Sequence, residues 1–121
     1  MMPFERLEAW RAAHQLALCV YRITQCFPKA EMFGITSQAR RSAVSISSNI
    51  AEGAAKRGHR EFRRYLDIAL GSFSELTYLL MLAGDLDFFD DADWQQVDAL
   101  RETTGKLRWG LYRSMGKRDS R

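Results

Sequence analysis

The feature that most constrains the fold is the spacing of apolar residues, which recur every three or four positions in four segments of the chain. This period matches one face of an α-helix. Runs that alternate apolar and polar residues, as half-buried strands do, are missing from the sequence. The sequence therefore predicts an all-α fold, and short connections between the helices favour an antiparallel up-and-down four-helix bundle.

Capping residues and prolines set the expected helix boundaries. We expect one domain over residues 1–121, with helices at about residues 4–27, 36–56, 59–84 and 91–115. Pro28 ends the first helix because the residue before a proline disfavours the helical conformation. Thr36 is the expected N-cap of the second helix, Gly58 that of the third, and Asp90 or Asp91 that of the fourth. The polar tail from Gly116 is expected to fray.

Composition and apolar run length limit the class of protein. The chain is 46% hydrophobic and 27% charged, which is typical of a soluble globular domain. Its longest apolar runs span six residues, whereas a bilayer-crossing helix needs about 20, so we expect no membrane partner. The first residues lack the apolar stretch of a secretory signal, which favours a cytoplasmic location. Cys19 and Cys26 are expected to be reduced, buried thiols.

Residues that carry catalysis or bind metals are few in this chain. His14 and His59 are its two histidines, and neither has a Glu three residues before it, as helical di-iron sites require. The serines of the second helix have no histidine in the same segment to act as a base. We therefore expect no catalytic residue, no metal site and no cofactor, and a protein that is not an enzyme.

The net charge of +3 conceals a strong segregation of charge along the chain. Residues 40–64 contain seven basic residues and two acids, whereas residues 85–102 contain seven acids and one arginine. The basic segment predicts a surface that contacts nucleic-acid phosphates. The alternative is a solvated face that pairs with the acidic segment of a neighbouring subunit. The candidate nucleic-acid-binding residues are Arg40, Arg41, Lys56, Arg57, Arg60, Arg63 and Arg64.

A surplus of apolar surface indicates self-association. Residues 78–83 are apolar on every side of the third helix, more than one bundle covers. Trp109 and Tyr112 lie off the buried seam beside Arg108 and Arg113. Their rings can stack on the bases of a single strand, but burial against another subunit is favoured. The expected oligomer interface contains Tyr78, Leu79, Met81, Leu82, Trp109 and Tyr112.

Three segments, FPKAE at 27–31, GITSQARRSAVSI at 34–46 and SNIAEG at 48–53, closely resemble the four-helix-bundle family of 23S ribosomal RNA intervening-sequence proteins. Within them Arg40 and Arg41 match the paired basic positions of the family. The chain departs from the family pattern at Gly58, where Ser is common, and at Thr77, where a second acid is usual. The residues that match the family motif, and that we interpret as structural, are Gln38, Ser45, Asn49, Glu52 and Gly53.

The resemblance implies a small bacterial protein without enzymatic activity that assembles into a barrel-like homopentamer. A related branch serves as the accessory protein of diversity-generating retroelements, which implies nucleic acid and a reverse transcriptase, or another protein, as partners. We therefore expect a homo-oligomeric bundle that binds RNA or DNA. The alternative is a protein–protein interaction or assembly module with no nucleic-acid role.

Overall fold

The computed structural model describes residues 1–119, and the side chains of residues 1–116. It contains four long helices: α1 (Glu8–Thr24), α2 (Ile35–Ala54), α3 (His59–Asp85) and α4 (Asp91–Asp119). Short 3-10 helices precede α1 at Pro3–Arg6 and α2 at Lys29–Glu31. Each long helix packs against the next, and α4 returns to α1. The expected all-α, up-and-down four-helix bundle is confirmed.

The first helix is shorter at both ends than the expected span of 4–27. Leu7 adopts an extended conformation (φ −86°, ψ 125°) between the 3-10 helix and α1. The side chain of Arg11 stabilises this break, since its Nε and Nη2 donate hydrogen bonds to the carbonyls of Glu5 and Arg6 at 3.1 and 3.0 Å. At the other end α1 stops at Thr24, four residues before Pro28.

Two capping predictions differ in outcome. Thr36 as an N-cap is wrong: α2 begins at Ile35, whose amide donates to the Glu31 carboxylate at 3.2 Å, and Thr36 is buried. Asp90 is confirmed as the cap of α4, because its Oδ1 accepts the amide of Asp93 at 2.8 Å. The helix continues through Gly116 to Asp119, so fraying from Gly116 is wrong. The last two residues of that tail lie outside the described residues.

The core is a continuous apolar layer between the four helices. Its largest fully buried side chains include Leu16, Ile23, Ile46, Leu66 and Leu76. A second, smaller cluster of Phe27, Ile35 and Ala83 closes one end of the bundle, covered by Phe88 and Phe89. Large core residues alternate with alanines on α1 and α2, which lets these helices pack closely.

The two cysteines differ in environment. Cys19 is buried, and burial raises the pKa of its thiol above the usual value. Cys26 lies beyond the end of α1 and is exposed, so the expectation that both thiols are buried is wrong for Cys26. Both cysteines are free thiols.

The helix α3 is long and apolar enough to cross a membrane, judged by length and composition alone. The mean hydropathy of its most apolar window is 1.4, and 33% of that window is buried inside the bundle. Core helices of bundles without any membrane meet the same two criteria, so this finding is weak support for a membrane segment.

Candidate nucleic-acid interface

The fold places charges of opposite sign at opposite ends of α3. The turn from α2 into α3, with the first turns of α3, carries five cations; we call residues 56–64 the basic corner. The turn from α3 into α4 carries Asp85, Asp87, Asp90, Asp91 and Asp93. Because an α-helix rises 1.5 Å per residue, about 40 Å separates the two ends of α3. The bundle is therefore electrostatically polar along its axis.

A glycine shapes the backbone of the basic corner. Gly58 is the N-cap of α3, as expected, and its φ of 81° lies in the left-handed region that glycine adopts without strain. The tight turn brings the end of α2 and the start of α3 together. It therefore places Lys56 and Arg57 within reach of the cations on the first turns of α3.

The cations of the corner surround one aromatic ring. The Lys56 Nζ lies 5.4 Å, and the Arg64 guanidinium 4.8 Å, from the centroid of the Tyr65 ring. Arg64 also pairs with Glu61 at 3.4 Å, a contact that raises its pKa further. Lys56, Arg57, Arg60 and Arg64 are all exposed. Tyr65 was expected only as a core residue, and the cations that border its ring come from two helices.

Two of the seven expected basic residues lie elsewhere. Arg40 and Arg41 are on α2, about 24 Å along the helix axis from Lys56. Arg40 is turned toward α1, where its Nε donates to the Thr24 hydroxyl at 2.9 Å and its guanidinium lies 4.8 Å from the Tyr21 ring. The expectation of a single seven-residue surface is therefore wrong, and five of its members share the corner.

A groove between α3 and α4 continues from the corner. Tyr112 of α4 lies between two guanidiniums, with Arg63 at 4.6 Å and Arg108 at 5.7 Å from its ring centroid. The Arg63 Nη2 also donates to the Tyr112 hydroxyl at 3.3 Å. The Trp109 ring stacks on Tyr112 at 5.9 Å with an interplanar angle of 16°. The groove is lined by Arg60, Glu61, Arg63, Arg64, Asp67 and Tyr112.

Arg108 differs from the other arginines because it is buried. Only 5% of its surface is exposed, and its Nη1 donates to the Leu66 carbonyl at 3.3 Å. Burial lowers the pKa of Arg108, an effect that the negative charge of Asp67 opposes. Sequence analysis placed Arg108 beside Trp109 and Tyr112 at the surface, but its position two turns along from Leu100 and Thr104 of the seam directs it inward.

The family-motif residues separate into two groups. Ser45, Asn49 and Gly53 follow one stripe of α2 against α3: the Asn49 amide donates to the Ser45 carbonyl at 2.7 Å, and the Ser45 hydroxyl meets that of Ser72 at 2.7 Å. Gln38 and Glu52 are exposed. The structural interpretation therefore fits Ser45, Asn49 and Gly53, whereas Glu52 does not share their packed face.

The expected interface residues also differ in exposure. Tyr78, Met81 and Trp109 are at least half exposed. Leu79 is only 5% exposed because it packs in the core of its own bundle, so its assignment to an intersubunit surface is wrong. Leu82 packs against the small end cluster, and Tyr112 is held half-buried in the groove.

Potential metal ligands do not converge in the part of the chain that the structure describes, where no group of three or more His, Cys, Asp or Glu residues is placed to hold an ion. His14 instead stacks on Trp10, with ring centroids 5.0 Å apart. The chemistry of the described surface is therefore that of charged side chains and aromatic rings.

Comparison with known proteins agrees with this architecture. A crystal structure of a protein of unknown function from the S23 ribosomal protein family of Bacteroides thetaiotaomicron is similar to this bundle, with a TM-score of 0.70 and 19% sequence identity. The similarity covers 88% of this chain and 97% of that one. No curated protein sequence matches the chain. The model of the 23S rRNA-intervening sequence protein family matches residues 5–109. That match spans most of the bundle, and the chain belongs to the family of 23S rRNA-intervening sequence proteins.

Proposed function

We propose that this protein is a non-enzymatic, homo-oligomeric bundle that binds RNA or DNA through its basic corner. The observation that carries the proposal is the concentration of four exposed cations, Lys56, Arg57, Arg60 and Arg64, within nine residues at one end of the bundle. Exposed cations at this density attract a polyanion, because each phosphate they neutralise releases condensed counterions.

The shape of the corner supports a phosphate backbone as its ligand. Its cations come from the end of α2 and from two successive turns of α3, so they are spread over a continuous surface. The Arg64–Glu61 pair is half-exposed on both sides, and such pairs contribute little stability in water. Phosphates can therefore replace Glu61 as the partner of Arg64 at small cost.

The alternative, an assembly module without a nucleic-acid role, is favoured by one observation. The acidic turn at the far end of α3 is complementary in charge to the basic corner, so subunits can in principle pair end to end. In that arrangement the basic corner is covered in the oligomer and does not bind nucleic acid.

Titration of a structured RNA at several salt concentrations tests the proposal. We expect affinity to fall steeply with salt, and the double variant Arg57→Ala, Arg60→Ala to lower the slope of log K against log salt by about 2, roughly one per phosphate contact. These two residues are chosen because Arg63 and Arg64 also contact Tyr112 and Glu61. The matched control is Arg41→Ala, an exposed arginine of α2 far from the corner.

Two outcomes would contradict the proposal. Absence of binding at about 50 mM salt, where electrostatic binding is strong, removes the nucleic-acid role. If the double variant instead lowers the mass of the oligomer in light scattering and leaves RNA binding unchanged, the corner is a subunit contact, and the assembly module is correct.

A further inference from the structure

The stacked rings of Trp109 and Tyr112 lie at the surface beside the basic corner. Trp109 is 50% exposed, and the Tyr112 ring beneath it is held by Arg63, which contacts both the ring and its hydroxyl. Buried Arg108 borders the same ring from the interior, at 5.7 Å from its centroid. The inner ring is thus fixed by its neighbours, and the outer ring presents aromatic surface to solvent.

Cations surround this ring pair on both helices. On α3, Arg60 and Arg64 line the groove, and on α4 the exposed Lys106 and Arg113 lie three residues before and four after Trp109, on the same face. The acids in the groove are Glu61, which pairs with Arg64, and Asp67, whose charge acts on the buried Arg108. Cations therefore outnumber acids around the rings.

This combination fits one class of ligand. Aromatic rings on a basic surface bind bases that are free to stack, and a single strand supplies one such base with every phosphate. The bases of a duplex are already stacked on each other and do not reach an exposed ring. Covering these rings with a second copy of the chain would instead bury several cations, which is costly without acids opposite them.

Resting on the proposed function, we infer that the groove between α3 and α4 binds single-stranded nucleic acid, with Trp109 stacking on a base and the cations beside it contacting phosphates. The basic corner supplies affinity for any polyanion, and the ring pair supplies a preference for unpaired strands. Trp109 is the residue that distinguishes the two forms.

Fluorescence anisotropy with labelled oligouridylate, alone and annealed to oligoadenylate, tests this inference. We expect Trp109→Ala to weaken single-strand binding about tenfold or more, consistent with the loss of one stacked base, and to leave duplex binding and the salt slope nearly unchanged. Trp109→Phe keeps an aromatic ring and should restore most of the affinity. Trp109→Leu keeps apolar volume without aromaticity and should behave like Trp109→Ala.

The matched control is Phe33→Ala, because Phe33 is 94% exposed and precedes α2 at the end of the bundle away from the groove. If both nucleic acids bind and Trp109→Ala changes neither affinity, or changes both equally, the single-strand inference fails and the proposed function stands. If neither nucleic acid binds to the unmodified protein, both fail. A loss of oligomer mass in Trp109→Ala without a selective loss of single-strand binding would show that Trp109 is a subunit contact.

Discussion

At the scale of single residues, Gly53 determines how closely α2 and α3 approach. A Cβ atom at this position would lie 2.8 Å from Phe62 Cδ1 and 2.9 Å from Tyr65 Cβ, closer than such atoms pack. Two residues before the basic corner begins to turn, this contact fixes the spacing of the helices that carry the corner cations. The same stripe is secured by the hydrogen bond between Ser45 and Ser72.

We expect Gly53→Ala to lower the free energy of unfolding by about 1–3 kcal/mol, the usual cost of overpacking a filled site. The matched control is Gly71→Ala on α3, where a Cβ meets nothing within 4 Å. That change should raise the free energy of unfolding by up to about 1 kcal/mol, because alanine is the better helix former. Urea denaturation measures both. Equal effects of the two substitutions would contradict a tight contact at Gly53.

At the scale of elements, the position of each helix follows from its apolar period, but its ends depend on contacts from elsewhere in the fold. The α4 start was predictable, since Asp90 caps the helix with its own side chain. The α2 start was not, because Glu31 of the preceding 3-10 helix satisfies the first amide and leaves Thr36 inside. The break at Leu7 likewise depends on Arg11, a residue of the following turn.

The candidate site was predictable to a similar degree. A window of charge along the sequence correctly marked Lys56 to Arg64, which a single turn brings together. It also included Arg40 and Arg41, because a count along the chain ignores the rise of α2 between them and the corner. The role of Tyr65 beside the cations was hidden by its place in the apolar stripe, and only the packing of α2 against α3 reveals it.

Asp90 allows a test at this scale. We expect Asp90→Ala to lower the free energy of unfolding by about 1 kcal/mol, the typical cost of losing an N-cap, because the amide of Asp93 loses its acceptor. Asp90→Asn keeps an oxygen in place and should retain most of the stability. Thermal denaturation followed by circular dichroism compares the two. If asparagine is as destabilising as alanine, the carboxylate charge acts rather than the cap.

At the scale of the whole molecule, the bundle has a polar axis and an exposed apolar strip on the outer side of α3. Tyr78 is 61% and Met81 53% exposed, one turn apart, while Leu79 and Leu80 between them point into the core. Exposed apolar side chains grouped in this way are typical of contact surfaces. The strip lies toward the acidic end, away from the cations of the basic corner, so subunits that meet there leave the corner open to nucleic acid.

We therefore expect the chain to form an oligomer in light scattering, with a mass that is a multiple of 13.9 kDa. The double variant Tyr78→Glu, Met81→Glu should shift the mass toward the monomer, because a charge buried in an apolar contact costs several kcal/mol unless it is paired. Gln95→Glu with Thr103→Glu adds the same charge on the exposed side of α4 and is the matched control. A monomeric unmodified protein, or a double variant of unchanged mass, would show that this strip is not the subunit contact. Retention of RNA binding by a monomeric double variant would further show that the basic corner acts within one subunit.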